Sequence, residues 1–399
     1  MQYDFDEVID RQNTNAFKID GLKTIYGRED LIPLWVADMD FRTPSFIVEA
    51  LRRRCEHEIL GYTVCPKDWY VSVAEWLKKQ YGWAIERKKL GFIPGVVPGL
   101  ALAVKCFTRQ GDKVMIQPPV YYPFFSIVEQ NNRKLVFNPL QLENGQYKMN
   151  FEQMREDIKG CKLFILCSPH NPGGRVWSKE ELTIVADICA ENGVMVFSDE
   201  IHADLTFPAH KHTPFALASE KAAANSIIFM SPSKAFNMPG LGASYYITEN
   251  REIYSVFNDY LESIHLNNCN IFAFAGIIAA YSNGTDWLDQ MLAYVQENID
   301  FLGDYIQENI PEIKIIQPQA SFLVFLDCRK FGLSQKELVT LFVDKAHLAL
   351  NNGAMFGEKE GTGFMRINVA CSRSILAKAL QQLKEAVDEW RMKFENGIK

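Results

Sequence analysis

The sequence lacks any apolar run long enough to cross a membrane. The longest apolar stretches, such as residues 271–281, fall well short of the ~18 residues that a membrane-spanning helix needs. The first residues, MQYDFDEVID, are acidic and polar, without the basic start and apolar core of a secretory signal. We therefore expect a soluble, cytoplasmic protein with no membrane partner.

Paired cysteines and basic clusters are missing too. The nine cysteines form no CxxC pair, and several lie in apolar runs, where cysteine behaves as a small buried hydrophobe. Buried thiols are therefore expected, rather than a disulfide framework or a metal site. The formal net charge is −7, and no long cluster of lysine and arginine suggests a nucleic-acid-binding surface. We expect neither a metal nor a nucleic acid as a ligand.

The middle of the chain alternates helical patterns with short apolar strands. One predicted helix, at 178–192, opens with the capping-box residues Ser178 and Glu181. The other predicted helices lie at 98–109 and 150–159, and the predicted strands at 113–117, 163–167, 194–197 and 226–230. Short apolar strands separated by helices predict an α/β fold, with a mostly parallel sheet and helices on both faces.

The last third of the chain changes character. The predicted elements are helices at 286–309, 334–346 and 374–395 and strands at 314–316, 321–327 and 364–369. This α+β pattern predicts a small C-terminal domain at 288–399, behind a large domain at 46–287. Residues 1–45 show no clear periodicity and are expected to form an arm that packs against the small domain or a neighbouring subunit.

Lys234 belongs to one of several polar segments that follow predicted strands. In open α/β sheets, ligands bind just outside the carboxyl ends of the strands, so these segments are expected to form one site. Lys234 closes the sequence Ser231-Pro232-Ser233-Lys234 after the strand at 226–230. The two hydroxyls suit a phosphate, and the amine suits a carbonyl group. A solvated loop lysine fits this segment equally well.

Asp199 follows the strand at 194–197. A carboxylate at a buried strand end is costly unless it is paired, and the ring nitrogen of a pyridinium cofactor is one suitable partner. A helix N-cap is an equal alternative. His202 is placed to orient Asp199 by a hydrogen bond. It has no second His or Cys at ligand spacing nearby, which argues against a metal site.

Asn171 lies in a turn-forming segment, 168–174, after the strand at 163–167. Its amide suits the phenolic oxygen of a cofactor, although a plain turn accounts for the segment as well. The glycine-rich turn at 94–99 opens a helix, whose free N–H groups and dipole favour an anion. Tyr121 follows the next strand and is expected either to stack on a flat ring or to pack in the core.

Together these motifs resemble the fold-type-I, aspartate-aminotransferase-like enzymes that use pyridoxal 5′-phosphate (PLP), and the resemblance covers essentially the whole chain. Asn-Pro-x-Gly, Ser-Asp-Glu-Ile-His and Ser-x-Ser-Lys occur in the order and spacing of that family. The segments LWVADMDF, LGYT and PVYYPFF are similar to those of the MalY/PatB branch of cystathionine β-lyases and cysteine-S-conjugate C–S lyases. Related aminotransferases usually carry an arginine a few residues after the lysine. Residues 240–244 contain none, and this absence is common in the lyase branch.

The resemblance implies a PLP-dependent transferase-like fold and a role for each matching residue. Lys234 carries the cofactor as a Schiff base and removes the Cα proton, with Tyr121 as a second catalytic residue. Arg366 binds the substrate carboxylate as a bidentate pair, although a surface salt bridge is an alternative for an arginine. The implied cofactor contacts are Val96, Val97, Tyr121, Asn171, Asp199, His202, Ser231, Ser233, Lys234 and, from the neighbouring subunit, Tyr62. The implied substrate contacts are Ala37, Tyr122, Asn171 and Arg366.

The implied activity is cleavage of cystathionine or a cysteine S-conjugate to pyruvate, ammonia and a thiol, by a homodimer with shared active sites. An aminotransferase remains an alternative, because both reactions begin with loss of the Cα proton to Lys234. A third possibility is a regulatory binding protein on the same scaffold. The sequence does not identify the thiol that leaves.

Overall fold

The computed structural model describes residues 2–268 and 270–395. Its helices are α1 Phe17–Asp20, α2 Leu22–Tyr26, α3 Ser45–Glu56, α4 Lys67–Tyr81, α5 Val96–Phe107, α6 Pro123–Glu129, α7 Phe151–Asp157, α8 Lys179–Glu191, α9 Glu220–Ala224, α10 Arg251–Ser263, α11 Ile271–Asn283, α12 Thr285–Asn309, α13 Gln335–Thr340 and α14 Arg373–Glu395. Its strands are β1 Ile32–Pro33, β2 Leu90–Ile93, β3 Lys113–Ile116, β4 Lys134–Phe137, β5 Gln141–Glu143, β6 Gln146–Lys148, β7 Cys161–Cys167, β8 Met195–Asp199, β9 Ser226–Met230, β10 Ser244–Ile247, β11 Lys314–Ile316, β12 Leu323–Asp327, β13 Leu348–Ala349, β14 Asn351–Asn352 and β15 Phe364–Asn368.

A seven-stranded sheet with the order β2-β10-β9-β8-β7-β3-β4 organises the middle of the chain. Strands β4, β3, β7, β8 and β9 are parallel neighbours, and β10 runs antiparallel to both β9 and β2. The predicted α/β fold with a mostly parallel sheet is confirmed. The antiparallel β10 was not expected, because a local apolar pattern carries no information about strand direction.

Helices cover both faces of this sheet, as the fully apolar strands require. Along β7, Leu163 and Ile165 point into one apolar core, and Phe164 and Leu166 point into the other. Residues of α5, α6 and α10 fill the first core, and residues of α4, α8 and α11 fill the second. The predicted capping box at α8 is confirmed, with Ser178 accepting from the backbone N–H of Glu181.

A second, four-stranded antiparallel sheet with the order β11-β12-β15-β14 follows in the last third of the chain. The predicted long helix is α12. The helix expected at 334–346 is α13 followed by a π-helical turn at Leu341–Lys345. The arm is more regular than expected, because it contains α1, α2 and β1. Strand β1 pairs in parallel with β13, Ile32 opposite Leu348. The domain limits at 45 and 287 remain predictions.

The eight described cysteines are unpaired, and five of them are buried: Cys161, Cys167, Cys189, Cys328 and Cys371. The ninth, Cys269, lies outside the described residues. Within the described residues, no three or more His, Cys, Asp and Glu side chains are grouped so that they could hold a metal ion. No described helix combines the length and apolar character needed to span a bilayer.

Gly91 offers a test of the pairing between β2 and β10. It lies opposite Tyr246, and a Cβ atom at Gly91 would come within 2.2 Å of the tyrosine ring. Gly91→Ala should therefore lower the thermal midpoint, since overpacking a core contact costs about 1–3 kcal/mol. The matched control is Gly240→Ala, where nothing lies within 4 Å of the new Cβ. Equal midpoints for the two variants in the same thermal scan would contradict this pairing.

Candidate active site

The carboxyl ends of β7, β8 and β9 lie side by side. Cys167 pairs with Asp199, and Asp199 with Phe229, so the segments that follow these strands emerge at one edge of the sheet. A pocket at this edge is lined by Ala37, Val96, Val97, Tyr121, Cys167, Asn171, Asp199, Ile201, His202 and Lys234. Eight residues predicted from the sequence therefore converge on one place.

Lys234 lines this pocket, so the interpretation as a solvated loop lysine is wrong. Its Nζ donates a hydrogen bond of 2.6 Å to the carbonyl oxygen of Ala37. Burial lowers the pKa of Lys234 to about 8, against the opposing influence of the Asp38 carboxylate. An amine with this pKa is neutral in a larger fraction of molecules near neutral pH than an ordinary lysine, and a neutral amine can accept a proton.

Asp199 is the last residue of β8 and is buried, with only 3 % of its surface exposed. Its Oδ1 accepts a hydrogen bond of 3.1 Å from the backbone N–H of Ile201. Burial raises the pKa of Asp199 to about 7. No cation of the described chain forms an ion pair with this carboxylate, so a positively charged or proton-donating partner in the pocket would stabilise it.

The hydrogen bond expected from His202 to Asp199 is not formed. His202 packs edge-on against Phe322, with ring centroids 6.4 Å apart, and its buried Nδ1 has no partner among the described residues. Burial lowers the pKa of His202 to about 3, so the imidazole is neutral. His202 still lines the pocket beside Asp199, and its Nδ1 is left for a group that enters there.

Arg366 lies in β15, with 2 % of its surface exposed, so the surface salt-bridge alternative is wrong. Its Nη1 donates to Oδ1 of Asn171 at 3.0 Å, and its Nη2 donates to Oδ1 of Asn351 at 2.5 Å and to the carbonyl of Trp35 at 3.1 Å. The guanidinium carbon lies 4.8 Å from the ring centre of Phe356. Every one of these partners is uncharged.

The guanidinium of Arg366 thus lacks a carboxylate partner within the described part of the chain. Burial lowers its pKa to about 10, which leaves it protonated at neutral pH. Its Nε is buried and donates to no described residue. A buried cation without an anion is destabilising by itself, and a bidentate carboxylate is the ligand that its geometry fits.

The start of α5 forms another wall of the pocket. Val96 and Val97 line it, and Gly95 precedes them with a φ of 136°, a backbone conformation that favours glycine. The first N–H groups of the helix have no intrahelical partner and attract anions. Ser231 and Ser233 are buried at the start of the lysine loop, where the Ser231 hydroxyl donates to the carbonyl of Ala243 and accepts from the N–H of Ser233.

The three predicted tyrosines differ in position. Tyr121 lines the pocket, whereas Tyr122 is half-exposed outside it, with its ring 5.3 Å from that of Tyr121 and 6.0 Å from that of Phe356. Tyr62 is fully exposed, in a segment that also exposes other apolar side chains, and it does not line the pocket of its own chain. The exposed apolar neighbours are Ile59, Leu60 and Val64.

Several pocket contacts were not predicted from the sequence. Asn351 contacts Arg366 because β14 pairs with β15 with these two residues opposite each other, a register that no local pattern reveals. Cys167 and Ile201 line the pocket next to predicted residues. Cys167 could have been anticipated, since it is the last residue of a strand whose neighbour in the sheet ends at Asp199.

Comparison with known proteins identifies the family. The family model for aminotransferase class I and II matches residues 29–383, so the chain belongs to this family. The chain is 41% identical over 385 residues to the cystathionine beta-lyase PatB of Bacillus subtilis, with 96% of this chain and 99% of that protein covered.

Solved structures agree with this result. Cystalysin from Treponema denticola, which contains pyridoxal 5′-phosphate, superimposes with a TM-score of 0.94 at 33% identity, covering 98% of this chain and 100% of that chain. A PLP-bound C–S lyase from Staphylococcus hominis superimposes with a TM-score of 0.90 at 35% identity, covering 97% and 98% of the two chains. The fold is therefore that of the PLP-dependent aminotransferase-like enzymes.

The environment of Lys234 predicts an unusually acidic lysine. In the cofactor-free protein, trace labelling of amines followed across pH by mass spectrometry should give Lys234 a midpoint near pH 8. Solvent-exposed lysines should show a labelling midpoint at about pH 10.4. A midpoint for Lys234 equal to that of the exposed lysines would show that its amine is solvated and not enclosed.

Proposed function

We propose that the protein is a PLP-dependent carbon–sulfur β-lyase that cleaves L-cystathionine or cysteine S-conjugates to pyruvate, ammonia and a thiol. The observation that carries this proposal is one pocket that holds the amine of Lys234 and the carboxylate of Asp199, with Arg366 joined to it through Asn171. The similarity to lyases over nearly the whole chain supports it. A cytoplasmic location remains a prediction.

The residues of the pocket fit the cofactor. Asp199 is a buried carboxylate that forms no ion pair with a described residue, which matches a protonated ring nitrogen. Asn171 directs its Oδ1 to Arg366, so its Nδ2 remains as a donor for the phenolic oxygen. The start of α5 at Val96 suits the phosphate. Tyr121 lies in the pocket wall, where its ring can stack on the cofactor ring.

Arg366 and Lys234 then act on the substrate. Arg366 binds and orients the α-carboxylate of the amino acid, an anion that the guanidinium does not find among the described residues. Lys234 takes the proton from Cα onto Nζ, and its lowered pKa favours the neutral amine that this requires. PLP, when bound, supplies a protonated ring that takes up the electron pair left at Cα.

The reaction then releases the sulfur substituent. The electron pair left at Cα forms a double bond to Cβ, the Cβ–S bond breaks, and the thiolate takes the proton held on Nζ of Lys234 and leaves as a thiol. Water hydrolyses the remaining aminoacrylate to pyruvate and ammonia. No keto acid is consumed, whereas an aminotransferase needs one to complete its cycle.

We further propose a homodimer in which Tyr62 serves the site of the neighbouring subunit. Tyr62 is fully exposed and is flanked by the exposed side chains of Ile59, Leu60 and Val64. Contiguous exposed apolar side chains on a folded chain indicate a surface that another protein covers. A partner tyrosine at the phosphate end would add a second tyrosine hydroxyl to that of Tyr121.

Pyruvate release tests the activity. The PLP-loaded enzyme incubated with L-cystathionine should release pyruvate without any added keto acid. Lys234→Ala should lower kcat/KM by about a hundredfold to ten-thousandfold, the range that a positioned general base supplies, whereas substitution of the exposed Lys88 by alanine should not. An enzyme that releases no pyruvate but converts an added keto acid to the corresponding amino acid would be an aminotransferase in place of a lyase.

Hybrid dimers test the shared site. Tyr62→Ala and Lys234→Ala homodimers should each be weakly active or inactive. Mixing the two proteins after partial denaturation and refolding should restore activity, because one site of each hybrid dimer then has both native residues. If no activity returns although mass spectrometry detects hybrid dimers, Tyr62 acts within its own subunit, and a fully active Tyr62→Ala homodimer would show that Tyr62 has no role in the site.

A further inference from the structure

One asparagine holds the backbone that contacts the catalytic lysine. Asn368, the last residue of β15, is buried, and its Nδ2 donates hydrogen bonds of 2.7 Å to the carbonyls of both Val36 and Asp38. Between these two carbonyls lies that of Ala37, which accepts the 2.6 Å bond from Nζ of Lys234. Three consecutive carbonyls therefore have fixed partners, the outer two on Asn368 and the middle one on the lysine.

Asn368 is itself fixed in the small sheet. Its backbone N–H donates to the carbonyl of Leu34 at 2.9 Å, and its Oδ1 accepts from the N–H of Ala370 at 2.8 Å. The backbone N–H, Nδ2 and Oδ1 of Asn368 thus all form hydrogen bonds, to the arm or to the loop that follows β15. The side-chain amide cannot turn without breaking several buried hydrogen bonds, and each buried group left unpaired is costly.

Ionic contacts secure the same stretch from the arm side. The Asp38 carboxylate lies 2.7 Å from Nη2 of Arg11, and Nζ of the buried Lys18 donates to the Asp38 carbonyl at 3.3 Å. Farther along, Asn237 accepts from the N–H of Met39 at 3.0 Å. These bonds anchor the residues after Ala37. Among the described residues, Asn368 is the one whose side chain bonds to the carbonyls on both sides of Ala37.

We propose that Asn368 is a positioning residue, which aims the carbonyl of Ala37 at Lys234 and so holds the free amine ready to take the Cα proton. A neutral amine that donates one N–H to a fixed carbonyl keeps its lone pair available and restricted in direction. Correct orientation of a reacting group contributes several kcal/mol to catalysis in general. The proposal rests on the proposed role of Lys234 as the base.

Strand β15 then organises both ends of the substrate site. Arg366, two residues before Asn368 in the same strand, donates to the carbonyl of Trp35. Residues two apart in a strand point to the same face, so the carboxylate-binding cation and the residue that positions the base lie on one face of β15. Both contact the same stretch of the arm, one at Trp35 and the other at Val36 and Asp38.

The first test measures Lys234 without any turnover. Loss of the carbonyl acceptor should destabilise the charged ammonium, so Asn368→Ala should lower the labelling midpoint of Lys234 by about one pH unit. The titratable groups that face Lys234 are all retained in this variant: Asp38, Tyr121, Asp199, His202 and Arg366. If the alanine variant does not fold, Asn368→Leu replaces it in this test. Leucine keeps most of the side-chain volume and should give the same shift of the midpoint.

Asn298→Ala is the matched control. Asn298 is equally buried, and its Nδ2 also donates to two carbonyls, those of Val369 and Cys371, each at 2.9 Å. It should lose a similar amount of thermal stability and leave the Lys234 midpoint unchanged. A midpoint in Asn368→Ala that equals those of the wild type and of Asn298→Ala would overturn the proposal.

The second test uses turnover of the PLP-loaded enzyme. Asn368→Ala should lower kcat about tenfold or more, because the base is misaligned, and should change KM little, because Arg366 is intact. The kinetic isotope effect for substrate deuterated at Cα should increase as proton removal becomes slower. A raised KM with unchanged kcat would overturn the proposal. If the wild type is not a lyase, the labelling result still decides whether Asn368 positions Lys234.

Discussion

The rest of this structure depends on three enclosed charged side chains, Lys234, Asp199 and Arg366, which have no ion-pair partner in the described part of the chain. Lys234 donates a hydrogen bond to a backbone carbonyl, and Asp199 accepts one from a backbone N–H. Arg366 donates to two amide oxygens and a carbonyl and lies against an aromatic ring. Unpaired buried charges cost free energy in a folded protein. A cofactor with a basic ring nitrogen and a carbonyl group, together with a substrate carboxylate, supplies what each of the three lacks.

The fold brings these charges together from distant parts of the chain. Asp199 ends β8, and Lys234 lies in the loop that follows β9, the parallel neighbour of β8 in the large sheet. Arg366 comes from the small sheet, and the arm passes between the two, in contact with Arg366 at Trp35 and with Lys234 at Ala37. Ala37 of the arm therefore lines the pocket, and hydrogen bonds connect the arm to Arg366 and Asn368 of β15.

Local patterns revealed much of this, because the chemistry lies next to regular structure. The strand Ser226–Met230 was predicted at its observed bounds, since four consecutive apolar residues follow Ser226 and end directly before Ser231. The residues after the strand ends were identified because ligands bind there in α/β sheets. Their assigned roles remain predictions, although the pocket that contains most of them is observed.

What sequence reasoning missed depends on long-range geometry. The contact of Asn351 with Arg366 requires the register of two antiparallel strands, and the antiparallel course of β10 is not encoded in four residues. The expected bond from His202 to Asp199 failed because the histidine packs against Phe322, more than a hundred residues away in sequence. The predicted place of Tyr62 requires a second subunit, which no single chain reveals.

The most direct measurement of the central claim is to reduce the PLP-loaded enzyme with borohydride, digest it and locate the attached group by mass spectrometry. The account predicts a phosphopyridoxyl group on Lys234 and on no other lysine. A group attached elsewhere, or no attached group in an enzyme that binds PLP and releases pyruvate, would contradict it.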